Sequence, residues 1–366
     1  MLTELTHKEL LQLARTRCIP PLLPSFHKGQ AGGRICVIGG CEDYTGAPYF
    51  SANAAALMGC DLTHVICERS AATVIKSYAP NLMVHPYLRD SAALREHGQR
   101  TEMDKVKSLL DRMHTVVIGP GLGRDEAMLE SVKEIIRFVL EEKGGMLPLV
   151  IDADGLFLIS QDSEVRSLLQ RFPAGRVVIT PNVVEFRRVI EALGGKEDDG
   201  GEFIVQQLNC IVVQKGREDK IFYPVRVRRG KDQDNGMTTK VLVNKCEGSP
   251  KRVGGQGDTL SGAIACMLTY SRVIHDFKVW RAPEEAKVDT DGESVGASGG
   301  GSSGKSMAAK QQRLHHWTDY AALSCYVGSS VTRECARLAF AARGRAMQTT
   351  DLNDRVGEVY AELLGQ

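Results

Sequence analysis

Short runs of β-branched and aliphatic residues recur through the first two thirds of the chain, with stretches of helical periodicity between them. The runs ICVI at 35, THVIC at 63, TVVI at 115, PLVI at 148, RVVIT at 176 and CIVVQ at 210 are nearly continuous in apolar side chains, as strands buried on both faces must be. Between them, 125–143 (DEAMLESVKEIIRFVLEEK) places Met128, Leu129, Val132, Ile135, Ile136, Val139 and Leu140 on one stripe, the spacing of an amphipathic helix. Strands alternating with helices predict an α/β fold: a mainly parallel central sheet with helices on both faces, three layers deep. Apolar helical patterns resume at Trp317 and again at Val356, so 1–366 is expected to form a single domain. Two polar stretches interrupt it. The segment 284–312, rich in Gly, Ser and charge, is expected to be a disordered insertion, and RVRRGKDQDNG at 226 reads as an extended hairpin turn.

Composition narrows the partners. Lys+Arg 46 against Asp+Glu 45 leaves a formal charge of +1, so there is no positive field to hold nucleic acid or an anionic membrane. Recognition of phosphate must then be local, and small molecules are the expected ligands, with a homo-oligomer left open. Ten cysteines, at 18, 36, 41, 60, 67, 210, 246, 266, 325 and 335, never fall in a C-x-x-C spacing, and several sit in apolar runs. They read as reduced thiols of a cytosolic protein. The N-terminus carries Glu4 and Glu9 and lacks a basic region followed by an apolar one, so no presequence is expected and the cytoplasm is the expected location. His85, His315 and His316 have no carboxylate or histidine partner at ligand spacing in the sequence and imply no metal cage.

Chemistry concentrates where strands run into glycine. In KRVGGQGDTLSGAIACML at 251, Gly254, Gly255 and Gly257 precede a helical pattern, so backbone amides at a helix start can converge on a phosphate-sized anion. Asp258, in the first turn, is placed to take a proton from an attacking hydroxyl; a plain turn with Asp258 as helix cap accounts for the string equally well. In RVVITPNVVEFRRVI at 176, Asn182 and Glu185 either order a magnesium ion and its waters or form a capping box, the better reading of the two. VVIGPGLGRD at 116 leaves Gly119, Gly121 and Gly123 where backbone approaches a pyrophosphate and Arg124 pairs with it, although it is not G-x-G-x-x-G. VVQKGRED at 212 offers Lys215 and Gly216 after a strand, or an ordinary charged turn. ICVIGGCEDYTGAPYF at 35 is a candidate substrate loop with Tyr44, Tyr49 and Phe50 as planar faces, or a turn into the small-residue helix SANAAALMG.

The order of these strings carries more than any one of them. GGCEDYTGAPYF, APNLMVHP, GPGLGRD, TPNVVEF, QKGRED and GGQGDTLSG, with HKGQAGGRI at 27, run as they do in the ATP-dependent NAD(P)H-hydrate dehydratases of the ribokinase-like fold, which the chain resembles over about residues 20 to 270. The resemblance implies ATP-dependent dehydration of the S form of hydrated NADH or NADPH, with ATP as co-substrate and Mg²⁺ as cofactor. It implies Asp258 as base, with Gly255, Gln256 and Gly257 as the anion hole. It further implies a hydrated-dinucleotide site of Gly121, Gly123, Asn182, Val183, Val184, Glu185, Phe186, Arg187, Arg188 and Asp258. The ATP site it implies comprises Lys215, Gly216, Arg217, Glu218 and Asp219, together with Gly248, Ser249, Pro250, Lys251, Arg252, Val253, Gly254, Gly255, Gln256 and Gly257. Glu185 is the residue expected to reach the metal, through water. The rival expectation is a vitamin-precursor or sugar kinase of the same fold.

Overall fold

The structure is a computed structural model that describes residues 2–196, 198–226, 236–280, 314 and 316–365. Strands Arg34–Ile38 (β1), Leu62–Glu68 (β2), Met83–Leu88 (β3), Thr115–Ile118 (β4), Leu149–Ile151 (β5), Val177–Ile179 (β6), Ile211–Gln214 (β7), Asp219–Arg226 (β8) and Met237–Asn244 (β9) build one sheet. Its order is β3-β2-β1-β4-β5-β6-β7-β8-β9. Pairing is parallel from β3 through β7 and antiparallel at β7–β8 and β8–β9.

The alternation of side chains along a strand divides the apolar residues between two cores. Ile35, Val37, Val117, Val150 and Val178 enter one core, under helices Gly46–Leu57, Gln256–His275 and Trp317–Arg343. Cys36, Ile38, Val116, Ile118, Leu149 and Ile151 enter the other, under helices that include Glu126–Glu141 and Asp154–Gln161. In Glu126–Glu141 the predicted stripe is buried at Met128, Val132, Ile135, Ile136, Val139 and Leu140, and Asp125 caps the helix by accepting from the Ala127 and Met128 amides.

All six predicted strands are present, and three more were not anticipated. β3 (MVHPYL) is broken by His and Pro, β8 carries charge at Asp219, Lys220 and Arg226 around its buried centre Ile221 to Pro224, and β9, at the antiparallel edge, mixes exposed with buried positions. β8 and β9 form the hairpin foreseen around 226, whose tip at 227–235 lies outside the described residues, as does the 284–312 segment. His85 does have a partner: its Nε2 lies 3.0 Å from His64 Nδ1 on the neighbouring strand, a pairing that sequence separation concealed. His315 lies outside the described residues, and His316 is the residue before the Trp317–Arg343 helix. All ten cysteines are unpaired, and Cys41 and Cys246 are partly exposed. No described helix is long and apolar enough to cross a membrane.

Two features of this architecture position a site. Sheet order reverses beside β1, which opens a crevice at the carboxyl ends of β1 and β4. The helix Gln256–His275 is wedged between its two neighbours: Ser261 Oγ lies 3.1 Å from Ser51 Oγ on one side, and Gly328 is closely apposed to the Ile264 backbone on the other. A helix held this tightly fixes where its N-terminus points.

Candidate active site

β5 ends at Ile151, and Asp152-Ala153-Asp154-Gly155 carries the chain into helix Asp154–Gln161. Ala153 turns the corner at φ 47° and ψ −116°, a backbone conformation sparsely populated by residues other than glycine. The turn sends consecutive carboxylates in different directions. Asp152, with its side chain 2% exposed, accepts from Lys215 Nζ at 2.9 Å. Asp154 accepts from the Gly123 amide at 3.0 Å and pairs with Arg124 Nε at 3.3 Å, while the Arg124 guanidinium lies over the Phe157 ring.

Lys215 follows β7, and its ammonium also lies 3.8 Å from Glu185. Glu185 accepts from the Asn182 amide at 2.8 Å, and Asn182 Oδ1 accepts from the Val184 and Glu185 amides, so the capping box is real and also aims Glu185 at the lysine. Opposite stands the start of helix Gln256–His275. Its N-cap is Gly255 at φ 96°, and no side chain caps it, so Asp258 is not the cap. A β-carbon at Gly255 would lie 2.8 Å from Thr349 Cγ2 and 3.0 Å from Phe50 Cδ2, which forbids any larger residue. The Gln256 amide turns back to the Val253 carbonyl at 3.4 Å, and the Thr259 amide begins the helical ladder at Gly255. The Gly257 and Asp258 amides between them have no partner within the helix and face outward at its positive end.

Burial pushes the Asp258 carboxyl up to about 8; the Asp152 carboxylate adds to this and the Lys215 ammonium opposes it. Burial likewise raises Glu185, with Lys215 again opposing. For Lys215 burial acts to lower the ammonium, and the combined pull of Asp152, Glu185 and Asp258 outweighs it, leaving the group raised and charged. The centre is therefore one ammonium among carboxylates, with Asp258 poised to hold or release a proton near neutrality.

Two cavities meet at Asp258. One, of about 530 Å³, is lined by Asp152, Asn182, Val183, Val184, Glu185, Lys215, Gly216, Asp219, Arg252, Val253, Gly255, Gln256 and Gly257, among others. The other, of about 710 Å³, is lined by Tyr44, Glu68, Gly121, Gly123, Arg124 and Asp154, among others. Ala153 and Asp258 border both.

The predicted residues divide accordingly. Asn182 to Glu185, expected beside Gly121, line the Lys215 cavity instead. The helix then rotates Phe186 and Arg187 onto a separate groove, and Arg188 joins Arg124 and Glu185 around a small recess. Gly216 and Asp219 reach the Lys215 cavity, whereas Arg217 and Glu218 are exposed outside it. Asp219 also has a structural task, accepting from the Gly216 amide, from Ser329 and from Arg333. Gly248, Ser249, Pro250, Lys251 and Gly254 do not line the cavity, and the Lys251 ammonium is held by the Arg345 and Met347 carbonyls. Tyr44 borders the second cavity, whereas Tyr49 and Phe50 pack against each other in the next helix. The principal residues not anticipated are Asp152, Asp154 and Arg333. The first two stood in plain view as D-A-D-G directly after a buried strand run; Arg333 carried no sequence signal.

The sequence profile of the NAD(P)H-hydrate dehydratases matches residues 35–357. The ATP-dependent (S)-NAD(P)H-hydrate dehydratase of Saccharomyces cerevisiae is 59% identical over 368 residues, covering 100% of both chains. The protein of that name from Schizosaccharomyces pombe is 39% identical, covering 95% of this chain and 91% of its own. Among solved structures, the ADP/ATP-dependent NAD(P)H-hydrate dehydratase of Bacillus subtilis co-crystallised with ATP/Mg²⁺ superposes with a TM-score of 0.58 at 18% identity, covering 98% of this chain and 97% of that one. The match to that structure establishes the ribokinase-like architecture, and the sequence matches go further: this chain belongs to the NAD(P)H-hydrate dehydratase family.

Proposed function

We propose that the cleft dehydrates the S form of hydrated NADH and NADPH at the expense of ATP, releasing ADP and phosphate. The observation that carries the reading is the pair of cavities opening onto one carboxylate, Asp258, beside uncapped amides. ATP occupies the Lys215 cavity with its γ-phosphate on the Gly257 and Asp258 amides, and the hydrated nicotinamide enters from the Gly121 side.

Asp258 then takes the proton of the ring hydroxyl while that oxygen bonds to the γ-phosphorus and the bond to the ADP oxygen breaks. The resulting ester is unstable, because the ring nitrogen lies on the same carbon. Its lone pair forms a C=N bond as the C–O bond breaks and phosphate departs with the bonding pair; loss of a proton from the adjacent carbon restores the dihydropyridine. The amides and Lys215 supply positioning and charge neutralisation, which is most of what phosphoryl transfer asks of a protein. Magnesium fits this cavity as an ion held chiefly by phosphate oxygens and water, with Glu185 the carboxylate that would reach it through water. Such an ion supplies neutralisation of the phosphate chain.

The test is incubation with acid-generated hydrated NADH, Mg²⁺ and each adenine nucleotide in turn. Return of dihydronicotinamide absorbance with equal ADP and phosphate is expected. A persistent phosphorylated product without phosphate release would assign the cleft instead to a vitamin-precursor or sugar kinase.

A further inference from the structure

The loop before the Asp258 helix is gripped from behind by the C-terminal part of the chain. Thr349 Oγ1 donates to the Gly254 carbonyl. Thr259 Oγ1 donates to the Gly255 carbonyl at 3.2 Å and accepts from Asn353 Nδ2 at 2.8 Å. Asn353 Oδ1 in turn accepts from Asn53 Nδ2 at 2.8 Å. Thr349, Thr259 and Asn353 are all buried, and none of them borders either cavity.

In a trans peptide the C=O and the following N–H point in opposite directions. A hydroxyl that holds the Gly254 carbonyl on the far side of the loop thereby turns the Gly255 amide toward the cavity that Gly255 lines. The Thr259 hydroxyl, fixed by Asn353, joins the Thr259 amide on the Gly255 carbonyl and so holds the Gly255–Gln256 peptide, whose own amide folds back on Val253, at the turn that leads into the free Gly257 and Asp258 amides. With glycine on both sides of it, the Gly254–Gly255 peptide has no side chain of its own to set its plane, since glycine occupies a wide range of backbone angles.

We infer that Thr349 and the Asn353–Thr259 pair are positioning residues of the reaction, setting the direction of the anion-hole amides from outside the cleft. This rests on the phosphoryl-transfer reading of the cleft. Because the amides bear most strongly on charge developing in transfer, their misdirection lowers kcat more than it raises KM for ATP.

The experiment compares Thr349→Val with Thr349→Ser, and Thr259→Val with Thr259→Ser, measuring kcat, both KM values and melting temperature on the full chain. Each valine variant is expected to lose about tenfold or more in kcat with KM for ATP within about threefold, as removal of oxyanion donors does. Each serine variant, which keeps the hydroxyl, is expected to recover most of kcat. If one valine variant does not fold, the other position carries the comparison. Wild-type kcat in a folded valine variant, or equal losses in the serine and valine variants, overturns the inference. A wild-type protein that regenerates no dihydronicotinamide overturns the phosphoryl-transfer reading itself, and the inference falls with it.

Discussion

Lys215 Nζ lies 2.9 Å from Asp152 Oδ1 and 3.8 Å from Glu185 Oε2, so one ammonium balances two carboxylates and tempers a third at Asp258. Replacing it with methionine strands Asp152 as an uncompensated buried charge, which is expected to destabilise the protein by about 3 kcal/mol. Without the ammonium, Asp258 holds its proton more tightly. The acid limb of the rate profile is therefore expected to move to higher pH in Lys215→Met, and an unmoved limb would detach Lys215 from Asp258.

Asp258→Asn keeps the size of the side chain and removes the base. Turnover is expected to fall by about 10² to 10⁴, the usual range for loss of a general base, while ATP still binds. Isothermal titration with ATP beside steady-state assays checks both parts. Retention of turnover within tenfold would remove Asp258 from the role.

The same substitution has a stability signature. Folding raises the Asp258 carboxyl from the ordinary 3.8 to about 8, so the folded state binds this proton more tightly than the unfolded state. The stability this gives is fully present below about pH 4 and is lost as pH rises through about 8. An asparagine in its place cannot ionise, so Asp258→Asn is expected to melt higher than wild type at pH 9 and to lose that advantage toward pH 4. Parallel melting curves across this window would count against a buried, raised carboxyl.

The route through a phosphate ester fixes the fate of one oxygen atom. The ring hydroxyl oxygen bonds to phosphorus before its bond to carbon breaks, so it leaves inside the phosphate. Substrate hydrated in ¹⁸O water is expected to yield inorganic phosphate carrying one heavy oxygen per turnover, read by mass spectrometry. Heavy oxygen found in solvent instead would mean that ATP cleavage and dehydration are separate events.

Gly121 is buried at φ 61°, and a β-carbon there would lie 2.7 Å from the Tyr44 carbonyl oxygen. Gly121→Val is thus expected to push back the Tyr44 turn before it meets any ligand. The anticipated result is a loss of about 1 to 3 kcal/mol from backbone strain, with KM for the hydrated dinucleotide rising more than KM for ATP. Thermal melts with paired KM measurements decide it.

Sequence made the centre of the site legible because its parts are local. A helix start with glycines and an acid is written in five consecutive residues, and the six buried parallel strands announce themselves as apolar runs. Asp152 and Asp154 are not singled out, because their meaning depends on which strand ends beside which, a matter of sheet order. Arg333, Thr349 and Asn353 sit in the C-terminal helical region, and Arg333 and Asn353 look there like incidental polar residues; the loops they grip lie 94 to 117 positions away in the chain. The split of Asn182 to Arg188 between separate surfaces follows from helical rotation, which a linear motif does not display.

The corner at Ala153 is a party wall one residue thick. Ala153 borders the Lys215 cavity and the Gly121 cavity alike, so ligands placed in the two would stand on either side of one residue. Thermodynamic reciprocity then makes a demand: whatever factor ATP imposes on affinity for the hydrated dinucleotide, that dinucleotide must impose on affinity for ATP. Any such coupling would have a single bend of backbone to cross, with no distant relay between the sites.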